Sequence, residues 1–287
     1  MVEQKRTQVA ITHLQGKLLL KPDRLSSLEQ FHDFGRLIKG QAKSLKVGFA
    51  EDPDARRKPH VREIVFGDTK DFRLYQRDFI LRRRIRYVDG FPAGEPEIVF
   101  KFRCADRERA AALDIRPVFP GRFRVKFKAQ LLPLHDQVGG YRLLYSHNCQ
   151  FGISQAPAGN RRTMSYLARA FPALQTLKKS KAESIEFVNE GIVEELLLPV
   201  GQLDFGKGIV ANSDIALWRT RGQHLPLVAE YSFQIKLGRG DELPGKAERL
   251  LEEFFIGLQR SLSASMALGA TKTGLVYGLN GKPGQRR

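Results

Sequence analysis

The segment ILRRRIRYVDG, residues 80–90, places Arg82, Arg84 and Arg86 at alternate positions, with Leu81, Ile85 and Tyr87 in most of the gaps. A period of two marks a strand with chemically different faces. The same alternation recurs along the chain. RFRVKFKAQL sets Arg122, Arg124, Lys126, Lys128 and Gln130 against Phe123, Val125, Phe127, Ala129 and Leu131. EIVFKFR sets Glu97, Val99, Lys101 and Arg103 against Ile98, Phe100 and Phe102, and EYSFQIKL sets Glu230, Ser232, Gln234 and Lys236 against Tyr231, Phe233, Ile235 and Leu237. THLQGKLLL, near the start, carries His13, Gln15 and Lys17 on its polar side. Such strands form a sheet whose apolar face must be covered and whose other face carries cations in phase.

Helices are available as the cover. PDRLSSLEQFHDFGRLIKG spaces Leu25, Leu28, Phe31, Leu37 and Ile38 helically, with Ser26 and Glu29 in capping-box register. ADRERAAALDI and RRTMSYLARAFPAL are further helical segments, the second broken at Pro172. GKAERLLEEFFIGLQRSLSASMAL carries one apolar stripe of Leu250, Leu251, Phe254, Phe255, Leu258, Leu262 and Met266. Breaks bearing Pro and Gly at 51–60, 89–96, 155–160 and 238–245 are too short to divide the chain, so residues 1–287 read as one α+β domain. From about residue 269 the Gly-rich basic tail reads as a loosely ordered extension. It lacks the phosphate-loop pattern, because Lys282 is followed by Pro283.

A formal charge of +17 favours a polyanionic partner: polyphosphate, triphosphate, nucleotide or nucleic acid. Two like charges about 5 Å apart repel by about 0.8 kcal/mol in water and about 3 kcal/mol at the effective dielectric of a partly enclosed site. A ladder of cations is therefore tolerable on an open face, and inside a cavity it calls for an anion. Arginine forks and lysine ammonium groups together suit linked phosphates. Phe100, Phe102, Phe123 and Phe127 lie on the face opposite the cations, whereas a single-strand nucleic-acid binder stacks bases on the charged face. Cys104 and Cys149 are too few for a disulfide framework and lack zinc spacing, so they read as buried thiols in a reducing compartment, the cytoplasm. No apolar run reaches the roughly 20 residues of a membrane span, and no membrane partner is expected.

The order of segments around FGDTKDFRLYQRDFILRRRIRY and PEIVFKFR resembles the CYTH, or triphosphate tunnel, superfamily. The matching residues are Asp68-Thr69, Leu74-Tyr75, the arginines 82, 84 and 86, and Lys101. Polyphosphate-polymerase domains of vacuolar transporter chaperones share much of this pattern. The resemblance covers residues 66–103 most firmly. It implies an antiparallel β-barrel of about eight strands with covering helices, whose inner wall binds a triphosphate or longer chain. The implied lining is Lys17, Arg82, Arg84, Arg86, Lys101, Arg103, Arg124, Lys126, Lys128 and Lys236.

The family also implies a divalent metal, magnesium or manganese, held by acidic side chains. Its first strand reads E-x-E-x-K, where this chain has His13, Gln15 and Lys17. Glu97, Glu186 and Glu230 are the carboxylates left to rebuild such a site. His13 invites a ligand or general-base reading, and His147 with Cys149 a nucleophile reading; a structural role suits each better. The function expected is a phosphohydrolase with a rearranged metal site or a non-catalytic binder. A nucleic-acid-binding module and a scaffold are the alternatives.

Overall fold

The two-faced segments fold as strands in the computed structural model, which describes residues 9–54, 58–180, 182–238 and 243–278. The chain opens with β1 (His13–Leu20), α1 (Leu28–Ser44), β2 (Gly48–Glu51), β3 (His60–Asp68) and a single turn, α2 (Arg73–Gln76). It continues through β4 (Phe79–Val88), β5 (Phe91–Cys104), α3 (Arg107–Ala112), β6 (Arg124–Pro133), β7 (Tyr141–Gly152) and α4 (Met164–Ala170). The last part comprises β8 (Glu186–Phe187), β9 (Val193–Asp204), β10 (Val210–Thr220), β11 (Pro226–Lys236), α5 (Gly245–Ser261) and α6 (Lys272–Gly278).

The sheet runs β9-β10-β11-β1-β6-β7-β5-β4-β3, and β3 pairs again with β9 to close a barrel. The short strands β2 and β8 extend its edges. The ring of nine agrees with the expected barrel of about eight strands and corrects only its wholly antiparallel character. Nine strands cannot alternate direction all the way round a ring, so at least one pair must be parallel. That pair is β1 with β6, where His13 lies opposite Lys128 and Gln15 opposite Gln130.

The apolar faces point outward under helices. Phe31, Phe34 and Ile38 of α1 and Leu251, Phe254, Phe255 and Leu258 of α5 pack on Leu18, Ile215, Tyr231, Phe233 and Ile235. Gly16 is required here, since a Cβ at that position would lie 2.3 Å from the Phe233 ring. A second cluster joins α4 and the segment ending at Leu174 to Phe79, Phe100, Phe102, Phe127 and Cys149. A third cluster gathers Leu19, Ile64, Phe66, Ile80, Val193, Trp218 and Val228 with Tyr75, Val276 and Tyr277, so α6 and α2 join an apolar plug of inward residues.

Local signals were displaced slightly. The α1 N-cap is Ser27, whose Oγ accepts from Gln30 N at 3.3 Å; Gln30 reaches back to Ser26 N, one residue later than the Ser26 and Glu29 register. The α4 helix stops before Pro172, as expected. The tail expectation fails over residues 272–278. These form α6, with Tyr277 fully buried and its hydroxyl donating to Asp68 Oδ2 at 2.9 Å. Residues 279–287 lie outside the described residues. Among the described residues, no helix is long and apolar enough to cross a membrane.

Candidate anion-binding site

Strand register brings the cations together. Lys101 lies opposite Asn148, which lies opposite Lys126 on the next strand; Arg103 and Lys128 likewise flank Ser146. Lys128 is level with His13, and His13 with Lys236, while Lys17 faces Ser232. One continuous inner face thus runs through β5, β7, β6, β1 and β11.

These cations disturb one another. Burial, and then Arg103, Lys17, Arg82 and Lys128, hold the Lys101 ammonium well below its ordinary range. Burial and then neighbouring lysines lower Lys128 to about 7. Lys17 falls to about 8, with burial outweighing the attraction of Glu230, and Arg82 falls to about 10 through burial and then Arg84. Arg82 Nε is buried without a hydrogen-bond partner, and among the described residues no carboxylate lies within ion-pair reach of Lys101. Lys128 Nζ donates to Gln234 Oε1 at 2.5 Å. His13 is nearly buried, and burial followed by Lys126, Lys128 and Lys236 lowers it to about 4. The Thr12 hydroxyl gives its proton to Phe127 O, so it accepts from His13 Nδ1 at 2.8 Å. The neutral ring is therefore anchored, and it is a poor base near neutral pH.

The opposite wall carries carboxylates. Glu195 Oε1 accepts from Trp218 Nε1 at 2.8 Å and lies 3.6 Å from Lys272 Nζ; its Oε2 faces Arg62 Nη1 at 3.5 Å. Glu230 meets Lys272 Nζ at 2.9 Å through Oε1 and Lys17 Nζ at 3.8 Å through Oε2. Although burial pushes both acids up, Lys272 and Arg62 hold Glu195 down to about 2, and Lys17 and Lys272 hold Glu230 below its ordinary value. Asp214, on β10, is raised to about 6 by burial. Nearer the mouth, a cleft of about 430 Å³ is lined by Gln15, Asp52, Asn212, Asp214 and Gln234.

The structure sorts the expected lining. Lys17, Arg82, Lys101, Arg103 and Lys128 form the mutually repelling cluster, with Lys126 beside it. Arg84 Nε donates to Glu97 Oε2 at 3.0 Å, and Arg124 reaches the other oxygen at 2.9 Å. Arg86, Arg124 and Lys236 are exposed. The expected metal set is not assembled. Glu97 is taken by the two arginines, Glu186 is exposed on β8 and bonds Ser184, and Glu230 is held by lysines. Among the described residues no group of three His, Cys, Asp or Glu could hold a metal ion. The acids that do share a neighbour, Glu195 and Glu230, share a protein ammonium, so the donor set does not fit a divalent cation.

His147 and Cys149 take the structural role: His147 Nδ1 donates to Leu113 O at 3.0 Å, and burial pushes the Cys149 thiol up to about 12. Asp68 anchors the site from beneath. Its carboxylate accepts from the backbone N–H groups of Thr69, Leu74 and Tyr75 and from the Tyr277 hydroxyl, which ties β3 to α2 and α6. Sequence reasoning missed Arg62, Glu195, Asp214 and Lys272. Arg62 and Glu195 sit in strands without a cation ladder, and nothing local marks Lys272 as facing a barrel.

No family model matches the chain, and no curated relative does. Solved structures similar to it include a candidate adenylyl cyclase from Hippeastrum described as having a dominant triphosphatase activity. That likeness has 13% identity and a TM-score of 0.42, covering 96% of this chain and 100% of the other. Candidate adenylate cyclases from Bacillus halodurans (12% identity, TM-score 0.38, 91% and 95% covered) and Vibrio parahaemolyticus (11%, 0.35, 93% and 99%) are also similar.

Proposed function

We propose that this chain is a divergent triphosphate-tunnel-like protein of the CYTH superfamily that binds a linear polyphosphate, free or as the triphosphate of a nucleotide, inside its barrel. One observation carries the reading: strand register gathers Lys17, Arg82, Lys101, Arg103 and Lys128 on one enclosed inner face, where burial first and then the neighbouring cations hold Lys17, Arg82, Lys101 and Lys128 below their ordinary ranges. At an effective dielectric of about 20, each like pair at contact range costs about 3–4 kcal/mol. An anion with several linked charges removes that cost, and its oxygens accept from both the ammonium groups and the guanidinium forks. Phosphates entering between the lysines favour their protonated forms, so binding takes up protons near and above pH 7. Phe100, Phe102 and Phe127 are buried in the outer clusters, so these strands offer the anion no stacking rings. The carboxylates do not supply a metal site, so the reading is of a binder. Phosphate release from tripolyphosphate with magnesium or manganese would convert it into a hydrolase.

The test is a thermal melt with tripolyphosphate. At a hundredfold excess over Kd, mass action stabilises the folded state by about 2.7 kcal/mol, an upward shift of several degrees for a chain of this size. Lys101→Met is expected to abolish the shift. Arg116→Ala, at an exposed arginine paired with Asp114, is expected to preserve it. No shift with tripolyphosphate or ATP would overturn the reading. Equal loss in both variants would remove the localised site.

A further inference from the structure

We infer that the Lys272 ammonium stands where a divalent cation would otherwise join Glu195 and Glu230, so this barrel holds its polyanion without divalent metal. The first half rests on geometry alone; the second also rests on the proposed function.

Lys272 Nζ lies 2.9 Å from Glu230 Oε1 and 3.6 Å from Glu195 Oε1, bridging acids on β11 and β9. All the carboxylate oxygens already face donors or cations. Trp218 Nε1 donates to Glu195 Oε1, Arg62 faces Glu195 Oε2, and Lys17 faces Glu230 Oε2. Glu195 Oε2 accepts no hydrogen bond, so Arg62 at 3.5 Å meets it as a charge rather than a donor. Two carboxylates thus stand among three cations, Arg62, Lys17 and Lys272. A divalent ion arriving here would have to compete with cations already paired to both acids. It would also need oxygen ligands at about 2.0–2.6 Å, and every one of these oxygens already faces a donor or a cation.

The ammonium is held in place as well as attracted. It sits 4.4 Å from the centre of the Trp218 ring, a cation–π position. Its helix is pinned at the far end, where Tyr277 donates to Asp68 and stacks on Tyr75 at 4.2 Å. Asn189 Nδ2 donates to the carbonyls of Val276 and Tyr277 at 2.9 and 3.0 Å, which binds the C-terminal end of α6 to the segment before β9. A divalent metal beside a phosphate chain would bridge phosphate oxygens and neutralise their charge. Here protein ammonium and guanidinium groups supply the positive charge on both walls.

The experiment has two arms. In the first, manganese alone is titrated into the protein and followed by electron paramagnetic resonance. The wild type is expected to show no bound ion. Lys272→Met removes the ammonium between the two acids and is expected to gain one manganese site, which Glu230→Gln then removes. Lys272→Gln serves as the second variant, and near-ultraviolet circular dichroism verifies that each is folded. Manganese held by the wild type and lost in Glu230→Gln would overturn the inference, and so would folded Lys272 variants that gain no ion.

In the second arm, tripolyphosphate is titrated calorimetrically with EDTA and then with magnesium. Wild-type affinity is expected to agree within about threefold, a difference well under 1.4 kcal/mol. Binding that requires magnesium would overturn the metal-free half and leave the proposed function standing. Binding under neither condition would overturn the proposed function and the metal-free half together, while the manganese arm still decides the place of Lys272.

Discussion

The two walls of the barrel interior carry their charges differently. On β4, β5 and β6, the cations Arg82, Lys101, Arg103 and Lys128 crowd together, and burial, then their own repulsion, lowers the affinity of the lysines for protons. On β9 and β11, Glu195 and Glu230 are each placed against more than one cation. The carboxylates meet counter-charges from the protein, whereas among the described residues Lys101 has no carboxylate within ion-pair reach. Charges that stabilise a fold come with partners, and an enclosed surplus marks a surface shaped for a ligand.

The largest way to break this contrast lies on the compensated wall. Glu195→Ala removes the acceptor from Trp218 Nε1 and leaves Arg62 and Lys272 facing one another across a buried gap. A loss of about 3–5 kcal/mol is expected, seen as a lower denaturant midpoint without ligand. A midpoint unchanged from the wild type would mean that the wall is not held by its ion pairs.

The mirror change has the opposite sign. Lys101→Met removes an enclosed charge that, among the described residues, has no carboxylate within ion-pair reach, and the free protein is expected to gain about 1 kcal/mol or more. Destabilisation of the ligand-free protein would show that Lys101 makes a structural contribution its surroundings do not reveal.

A smaller and broader effect comes from pH. Lys128 and Lys17 are depressed to about 7 and about 8 in the folded chain, below the ordinary lysine value near 10.5. The unfolded chain therefore binds more protons over the window from about 7 to 10.5, so stability from these groups rises with pH there and is lost as pH falls through 8 and 7. Saturating tripolyphosphate should flatten or reverse that rise. Identical profiles with and without the anion would separate these lysines from the ligand.

Much of this arrangement was legible because side-chain alternation is a local property. Once RFRVKFKAQL and EIVFKFR are strands, Lys101, Arg103, Lys126 and Lys128 must share faces opposite Phe100, Phe102 and Phe127, whatever the strands pair with. The Asp68-Thr69 and Leu74-Tyr75 spacing also makes sense locally, since one carboxylate accepts from the amides that begin the next turn. Whether the expected acids assemble into a metal site was not legible. Glu97, Glu186 and Glu230 stand on separate strands, and whether they converge depends on strand order and on which arginines reach them first.

What the sequence determined by itself was which side chains share a face, because the pleat repeats every two residues without reference to distant partners. Only the tertiary structure decided that the faces close into a ring of nine strands with one parallel pair. It also decided that α6, from the far end of the chain, carries Lys272 between two acids. Both depend on contacts between residues tens to more than a hundred positions apart, whose free energy comes from burying the outer clusters and the plug together, and no local pattern encodes it.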